Sequence, residues 1–426
     1  MLAARGEDAI GVDASRPDVD LPGLQVHLGT AGVELLDGVQ TLVKSPGVPN
    51  EAPVVVAARE RGIAVVGELE LAWRLLPNRF VAVTGTNGKT TTVELLGAIW
   101  RAAGLPVAVA GNVGTPLAAL VGGLDPDATV ICEASSFQLE DTVAFAPEVA
   151  VLLNVEEDHL DRHGDLASYR AAKERIFANQ RPEDWAVAPA DLVPEGAAAW
   201  IGFGHGCDAD VWDGWIRFRG EPLLAVGELR IRGAHNLDNA LAATAAALAD
   251  SGLGEQPATA GDGAPPPGAV APAAVAEALR TFAGVEHRLE EVATVGGVLY
   301  VNDSKATNPA SALRGLQAFD GGIHAILGGS LKGGGFTALR KEVSARCRAC
   351  YLVGDAADAL AADLEGTAPL LRGGTLEQAV ADAATAAEPG DVVLLSPACA
   401  SFDAFASYEA RGARFKELVA ALESGE

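Results

Sequence analysis

Short apolar, β-branched runs alternate with Ala- and Leu-rich helical stretches along almost the whole chain. The runs fall at residues 9–13, 41–45, 81–84, 129–132, 149–153, 324–327, 349–353 and 391–396. Strand-length runs separated by helical segments predict an α/β fold built around parallel sheets. The alternation breaks at Leu75-Leu-Pro77-Asn78, over an Ala/Pro/Gly-rich stretch at residues 252–272, and between Thr281 and Arg288. The first and last breaks predict three domains, 1–77, 78–284 and 285–426, and the middle one reads as a flexible surface insertion. The opening is unusual. A nucleotide-binding α/β domain ordinarily begins with a strand and a Gly-rich turn, whereas Met1-Leu-Ala-Ala-Arg-Gly6 reads as the end of a helix leading straight into the strand at 9–13. The first βα unit is therefore expected to be missing, which would expose the edges of its neighbours.

Composition narrows the class. With 49% hydrophobic residues in 426, substantial cores are expected. A net charge of -26, from 57 acidic and 31 basic residues, repels nucleic-acid phosphates and anionic membrane surfaces. Neither is expected as a partner, and an anionic substrate would need a local cationic pocket. The five cysteines form no evenly spaced framework, and no signal peptide or long apolar span is visible, which points to a reducing cytoplasm. Cys347-Arg-Ala-Cys350 lacks a companion Cys or His pair and reads as incidental thiols.

The candidate chemistry begins where the strand at 81–84 runs into Gly85-Thr86-Asn87-Gly88-Lys89-Thr90-Thr91. Glycines at 85 and 88 let backbone N–H groups approach phosphate oxygens, Lys89 supplies positive charge, and the Thr90 hydroxyl can ligate Mg²⁺ at a helix N-terminus. The common G-x-x-x-x-G-K-[ST] pattern is shortened here, with only Thr86 and Asn87 between the glycines. Glu133 ends the apolar strand at 129–132, where open α/β sheets present their ligands, and can complete a Mg²⁺ site with Thr90. A second strand ends at Asn154 and leads into Asp158, His159, Asp161, Arg162 and His163, metal-capable or anion-binding groups at the same sheet edge. Residues 168–177 read as an amphipathic helix, on which Lys173 would ordinarily be a solvated lysine.

Taken in order, T-G-T-N-G-K-T-T, E-A-S-S-F-Q-L, N-x-x-x-D-H-L-D-R-H and Y-R-A-A-K-x-R-I-F closely resemble the central domain of the Mur ligases. The resemblance implies three domains: an N-terminal Rossmann-like domain that binds a UDP substrate, a central P-loop ATPase-like domain and a C-terminal Rossmann-like domain. It implies ATP held by Gly85 through Thr91, and two Mg²⁺ ions held by Thr90, Glu133, His159 and Lys173, the lysine carbamylated by CO₂. It also implies that Lys89, Glu133, His159 and Lys173 form the catalytic group. By the same resemblance Asn236 and Asn239, in H-N-x-x-N-A, contribute to nucleotide binding. Arg288 of the H-R element and Lys305 of N-D-S-K-A-T-N approach ATP phosphates, with Asp303 at the ribose.

Leu327-Gly-Gly-Ser-Leu-Lys332 and Ser396-Pro-Ala-Cys-Ala-Ser401-Phe402 resemble the branch of the family that adds D-glutamate to UDP-N-acetylmuramoyl-L-alanine. Thr307, Lys332 and Ser401 would then hold D-glutamate, with Phe402 and Tyr408 closing the pocket; the triple glycine after Lys332 is a mild departure. In the first domain Asp13, Arg16 and Ser45-Pro46-Gly47 resemble the elements that hold the uridine nucleotide. Asn112, Ser135, Gln138 and His159 would meet the remainder of that substrate. A monomer acting on small molecules is expected. Another Mur ligase or a folylpolyglutamate synthetase would share the central domain, and a non-catalytic nucleotide-binding module is the alternative of a different class.

Overall fold

Each apolar run named above becomes a strand in the computed structural model, which describes residues 2, 5–16, 24–249, 269–331 and 335–424. Most of the stretch read as an insertion, residues 250–268, and Lys332 lie outside the described residues. The chain divides into two units, Met1–Leu229 with Asp238–Thr281, and Arg230–Leu237 with Phe282–Glu426.

The first unit opens with two separate parallel pairs. Strand β1 (Ile10–Asp13) pairs with β2 (Gln25–Leu28), and β3 (Thr41–Lys44) with β4 (Ala64–Gly67). Ile10, Val12 and Val43 on these short strands are exposed. Two helices follow their strands, α1 (Pro53–Glu60) with proline in its first turn, where no N–H is needed, and α2 (Glu68–Leu75). The apolar face of α2, Leu69 and Ala72, shares a core with Phe80 and Val130 of the neighbouring sheet and with Leu139 and Phe145 beside it. On the same helix Glu70 is fully buried and accepts the N–H groups of Val143, Ala144 and Phe145 at 3.0 Å each.

That sheet has nine strands: β5 (Phe80–Thr84), β6 (Val107–Gly111), β7 (Thr129–Glu133), β8 (Val149–Leu152), β9 (Trp185–Pro189), β10 (Ala199–Phe203), β11 (Ala209–Trp212), β12 (Trp215–Phe218) and β13 (Glu221–Ala225). Their spatial order is β6-β7-β5-β8-β9-β10-β11-β12-β13, parallel as far as β11 and antiparallel from there. The antiparallel edge departs from the all-parallel expectation. Asp213-Gly214 joins β11 to β12 with φ of 50° and 76°, the positive values a two-residue hairpin turn demands. Around the sheet lie α3 (Lys89–Ala102), α4 (Ser136–Glu140), α5 (Leu160–His163), α6 (Leu166–Glu174), α7 (Ala234–Leu248), whose first four residues fall in the second unit, and α8 (Pro272–Thr281). Because β5, β7 and β8 run parallel as neighbours, the loops after Thr84, Glu133 and Leu152 all emerge at one sheet edge.

The second unit holds a six-stranded sheet in the order β14-β15-β19-β16-β17-β18. Its strands are β14 (Glu290–Val295), β15 (Val298–Asn302), β16 (Ile323–Gly328), β17 (Cys347–Val353), β18 (Leu370–Gly374) and β19 (Val392–Leu395), with only β14 antiparallel. Side chains on a strand alternate faces, and here both faces are buried. Val301, Leu327, Leu352 and Leu394 enter one core, while Tyr300, Ile326, Tyr351 and Val393 enter the other. Helices α9 (Pro309–Gln317), α10 (Arg340–Arg346), α11 (Ala357–Asp363), α12 (Leu376–Ala386) and α13 (Tyr408–Ser424) complete the unit. Among the described residues no helix is long and apolar enough to cross a membrane.

Candidate active site

The loop between β5 and α3 is shaped by glycine. Gly88 has φ 83°, and a Cβ there would run into Asn239 Oδ1, so the loop can turn into α3 against α7 only without a side chain. At the head of α3 the Thr90 hydroxyl donates to Glu133 Oε2 at 2.9 Å, and Asn112 Nδ2 donates to Glu133 Oε1 at 2.9 Å. Glu133 is buried. Both of its donors are neutral groups, a hydroxyl and an amide. Hydroxyl and carboxylate oxygens are the hard donors that Mg²⁺ takes, and this set fits that ion. The Lys173 amine as it stands does not.

Lys173, on α6, is 1% exposed. Its Nζ donates to Gly85 O at 2.8 Å and lies 4.4 Å from the Tyr169 ring centre. Lys89 Nζ donates to that carbonyl at 2.8 Å and to Thr86 O at 3.0 Å. Burial, and then the like charge of Lys89, push the Lys173 amine down to about 7, against the pull of Asp158. The phosphate loop and a reactive-range amine therefore share one carbonyl.

Asn154, at the end of the β8 strand run, had no role in the sequence reading. Its side chain accepts the Asn87 N–H at 2.9 Å and donates to Asn87 O at 3.2 Å, bracing the loop. An amide one strand over from a Gly-rich turn is the signal that would have found it. His159 has φ 53° and a half-exposed ring lying 5.0 Å from Phe137, with Asp158 Oδ2 3.6 Å from its Nε2. No hydrogen bond joins it to Thr90, Glu133 or Lys173 among the described residues. Ser135 and Gln138 are engaged with each other in a capping box at the start of α4.

In the first pairs, Asp13 Oδ1 accepts both the N–H and hydroxyl of Ser15 at 2.7 Å, and these bonds hold its carboxyl below the usual range. Arg16 is exposed; Ser45-Pro46-Gly47 turns back after β3, with Ser45 O accepting Val48 N–H at 3.0 Å.

In the second unit Asp303 follows β15 and is buried. Ser396 Oγ donates to its Oδ2 at 2.7 Å and the Leu289 N–H to its Oδ1 at 3.3 Å. Burial raises this carboxyl to about 7, overcoming those bonds and the attraction of Arg288. Arg288 sits between two residues of positive φ, His287 at 62° and Leu289 at 43°. Asn236 Nδ2 donates to Arg232 O at 2.7 Å. Lys305 Nζ stands 5.4 Å from the centre of the Tyr408 ring, whose hydroxyl burial pushes up to about 12. Ser401 is buried and Phe402 is 70% exposed. Thr307 N–H donates to Lys305 O at 2.8 Å. The sequence reading assigned nothing to Arg411, which is 3% exposed. Its guanidinium donates to Ser304 Oγ at 3.0 Å, Ser304 O at 2.8 Å, Cys399 O at 3.1 Å and Ala400 O at 3.1 Å. It thereby ties the loop after β15 to the loop after β19.

Two family models match this chain: Mur ligase middle domain over residues 83–247, and Mur ligase, glutamate ligase domain over residues 287–399. It is 43% identical over 433 residues to the UDP-N-acetylmuramoylalanine--D-glutamate ligase of Acidobacterium capsulatum, covering 98% of this chain and 90% of that protein. The enzyme of the same name from Solibacter usitatus is 41% identical, with 99% and 94% covered. In fold it is similar to the UDP-N-acetylmuramate-alanine ligase MurC of Thermotoga maritima, with a TM-score of 0.60 at 18% identity over 100% of this chain and 95% of that one. The MurF ligase of Thermotoga maritima in complex with ADP gives 0.58 at 21% identity, over 100% and 91%.

Proposed function

This chain belongs to the Mur ligase family, and from that premise we propose that it joins D-glutamate to UDP-N-acetylmuramoyl-L-alanine with cleavage of ATP, a step in peptidoglycan precursor synthesis. The observation that carries the reading is the meeting, at one sheet edge, of a Gly-rich phosphate cradle, the buried Thr90–Glu133 pair and the buried Lys173 amine.

In this reading residues 1–77, 78–284 and 285–426 serve the UDP substrate, ATP and the amino acid, and the enzyme is a cytoplasmic monomer. The Gly85–Thr91 loop takes the triphosphate on its N–H groups, and Lys89 leaves the Gly85 and Thr86 carbonyls for the phosphates. Asn236, Asn239, Arg288, Asp303 and Lys305 are the further residues assigned to ATP. Thr90, Glu133, His159 and Lys173 hold two Mg²⁺ ions, which when bound offset repulsion between anionic reactants. Lys173 does so as a carbamate: its neutral amine attacks CO₂, a C–N bond forms as one C=O π bond opens, a proton leaves the nitrogen, and the side chain becomes an oxygen-bearing anion. An amine near pKa 7 supports this, because only the unprotonated form is a nucleophile.

The γ-phosphoryl group passes to the alanine carboxylate and ADP leaves. The D-glutamate amine then attacks the acyl carbon, the ammonium proton is released, and phosphate departs as the amide forms. This chain's residues act by positioning and charge neutralisation. Asp13, Arg16 and Ser45-Pro46-Gly47 take the uridine nucleotide; Asn112, Ser135, Gln138 and His159 meet the muramoyl-alanine portion. Thr307, Lys332 and Ser401 hold D-glutamate beside Phe402 and Tyr408.

The test is phosphate release with ATP, Mg²⁺ and UDP-N-acetylmuramoyl-L-alanine, comparing D-glutamate with L-glutamate, L-lysine and meso-diaminopimelate, with product masses recorded. Release and an amide of matching mass with D-glutamate alone is expected. The same result with another amino acid would move the chain to a different branch, and nucleotide binding without any amide would replace the enzyme by a binding module.

A further inference from the structure

Lys44 ends β3, immediately before the Ser45-Pro46-Gly47 turn, and its side chain is 1% exposed. Its ammonium donates to Val48 O at 2.8 Å, closing that turn from inside, and lies 2.8 Å from Asp141 Oδ2. Asp141 is the C-cap of α4, the helix that carries Gln138 and is capped at its other end by Ser135; its side chain is 2% exposed. A backbone bond runs alongside, from the Gly67 N–H of β4, paired with Lys44 in the sheet, to Asp141 O at 3.2 Å. Although the ion pair is close, Asp141 Oδ2 has no well-aligned hydrogen bond. Burial raises its carboxyl in spite of Lys44.

Such a pair is a poor stabiliser. Two charges taken out of water lose about what their attraction returns, and apolar residues of similar volume are often as good or better. The best-attested use of a buried polar contact is to specify one alignment among several that an apolar contact would permit. We propose that Lys44 and Asp141 are positioning residues that fix the Ser45-Pro46-Gly47 turn against the helix of Ser135 and Gln138, so that both parts of the UDP-substrate site keep one geometry. This rests on the proposed UDP-substrate site and adds two residues that do not touch the substrate.

The experiment uses the full chain carrying K44M/D141L, read by calorimetric titration with UDP-N-acetylmuramoyl-L-alanine, by titration with ATP and by thermal unfolding. The expected result is a melting temperature unchanged or raised, ATP affinity unchanged, and affinity for the UDP substrate weakened about tenfold, since a small misplacement of binding groups is costly. K44M alone leaves the Asp141 charge buried without its cation, and should lower both stability and UDP-substrate affinity. Wild-type affinity in the double variant would overturn the proposal. So would parallel losses of stability and of both affinities, the signature of a purely structural pair. Failure of the wild-type chain itself to bind the UDP substrate would remove the proposed site, and the positioning role with it.

Discussion

In the first unit the buried ionisable group beside the phosphate loop is a lysine, and in the second the buried group after β15 is an acid. Burial moves the Lys173 amine down and the Asp303 carboxyl up, each to about 7. Desolvation penalises charge of either sign, so groups of opposite charge arrive at one value. Their surroundings differ. The charge of Lys89 reinforces burial at Lys173, whereas Ser396, the Leu289 N–H and Arg288 all oppose it at Asp303. The lysine environment favours a free amine, a reactive species; the acid is embedded in hydrogen bonds that shape a loop. One and the same penalty thus leaves a nucleophilic amine beside the phosphate loop of the first unit and a carboxyl locked into a hydrogen-bonded loop in the second.

The largest effect is expected from Lys173→Ala. Activity should fall by about a thousandfold or more, while the melting temperature holds or rises, because a buried lysine costs the fold. Added short carboxylic acids should restore part of the rate. Full activity in bicarbonate-free buffer would end the carbamate reading.

Arg411→Ala should act the other way, through stability. Leaving the carbonyls of Ser304, Cys399 and Ala400 without their donor should cost about 3 kcal/mol in chemical denaturation. Arg411→Lys should recover little, since an ammonium cannot reproduce the planar fork. A loss of rate at unchanged stability would contradict the architectural assignment.

The pH dependence of unfolding sharpens the contrast. Unfolded lysine holds its proton to about pH 10.4, folded Lys173 only to about 7, so between these values the unfolded chain binds more protons and stability rises with pH. Its contribution is lost as pH falls through about 7. Folded Asp303 keeps its proton to about 7 and the unfolded acid to about 3.9, so its contribution is full below about 3.9 and is lost as pH rises through 7. Melting curves in CO₂-free buffer should show Lys173→Met flattening the first dependence and Asp303→Asn the second. If either variant leaves its limb unaltered, that group is not buried in the ionisable state described.

The smallest effect is expected from Ser396→Ala. It removes the hydroxyl that donates to Asp303 Oδ2, so the acid's titration should move up, followed by the carboxyl NMR signal. A downward move would show that Ser396 supports the neutral acid instead.

Several parts of this molecule were legible in the chain because their chemistry is contiguous. The strand, glycines, lysine and threonines of residues 81–91 carry their own geometry, and Glu133 could be paired with Thr90 since parallel strands present their C-terminal ends together. The antiparallel edge was missed although Asp213-Gly214 advertises a hairpin. Ser135 and Gln138 show the reverse, a motif read for substrate whose side chains also satisfy a helix end. Arg411 was unreadable in role because the loop of Ser304 that it ties down lies far off in sequence.

The α/β class, the place of the phosphate loop and the family can all be read along the chain, since periodicity, turn residues and motif order are local properties. The tertiary structure decided which charges lie buried and beside what. On residue type Lys173 is a solvated lysine and Lys44 a strand-end cation; burial against Gly85 O and Asp141 gives them their character. Protonation and alignment depend on desolvation and on neighbours brought together by folding, and neither is a property of a residue in its own stretch of chain.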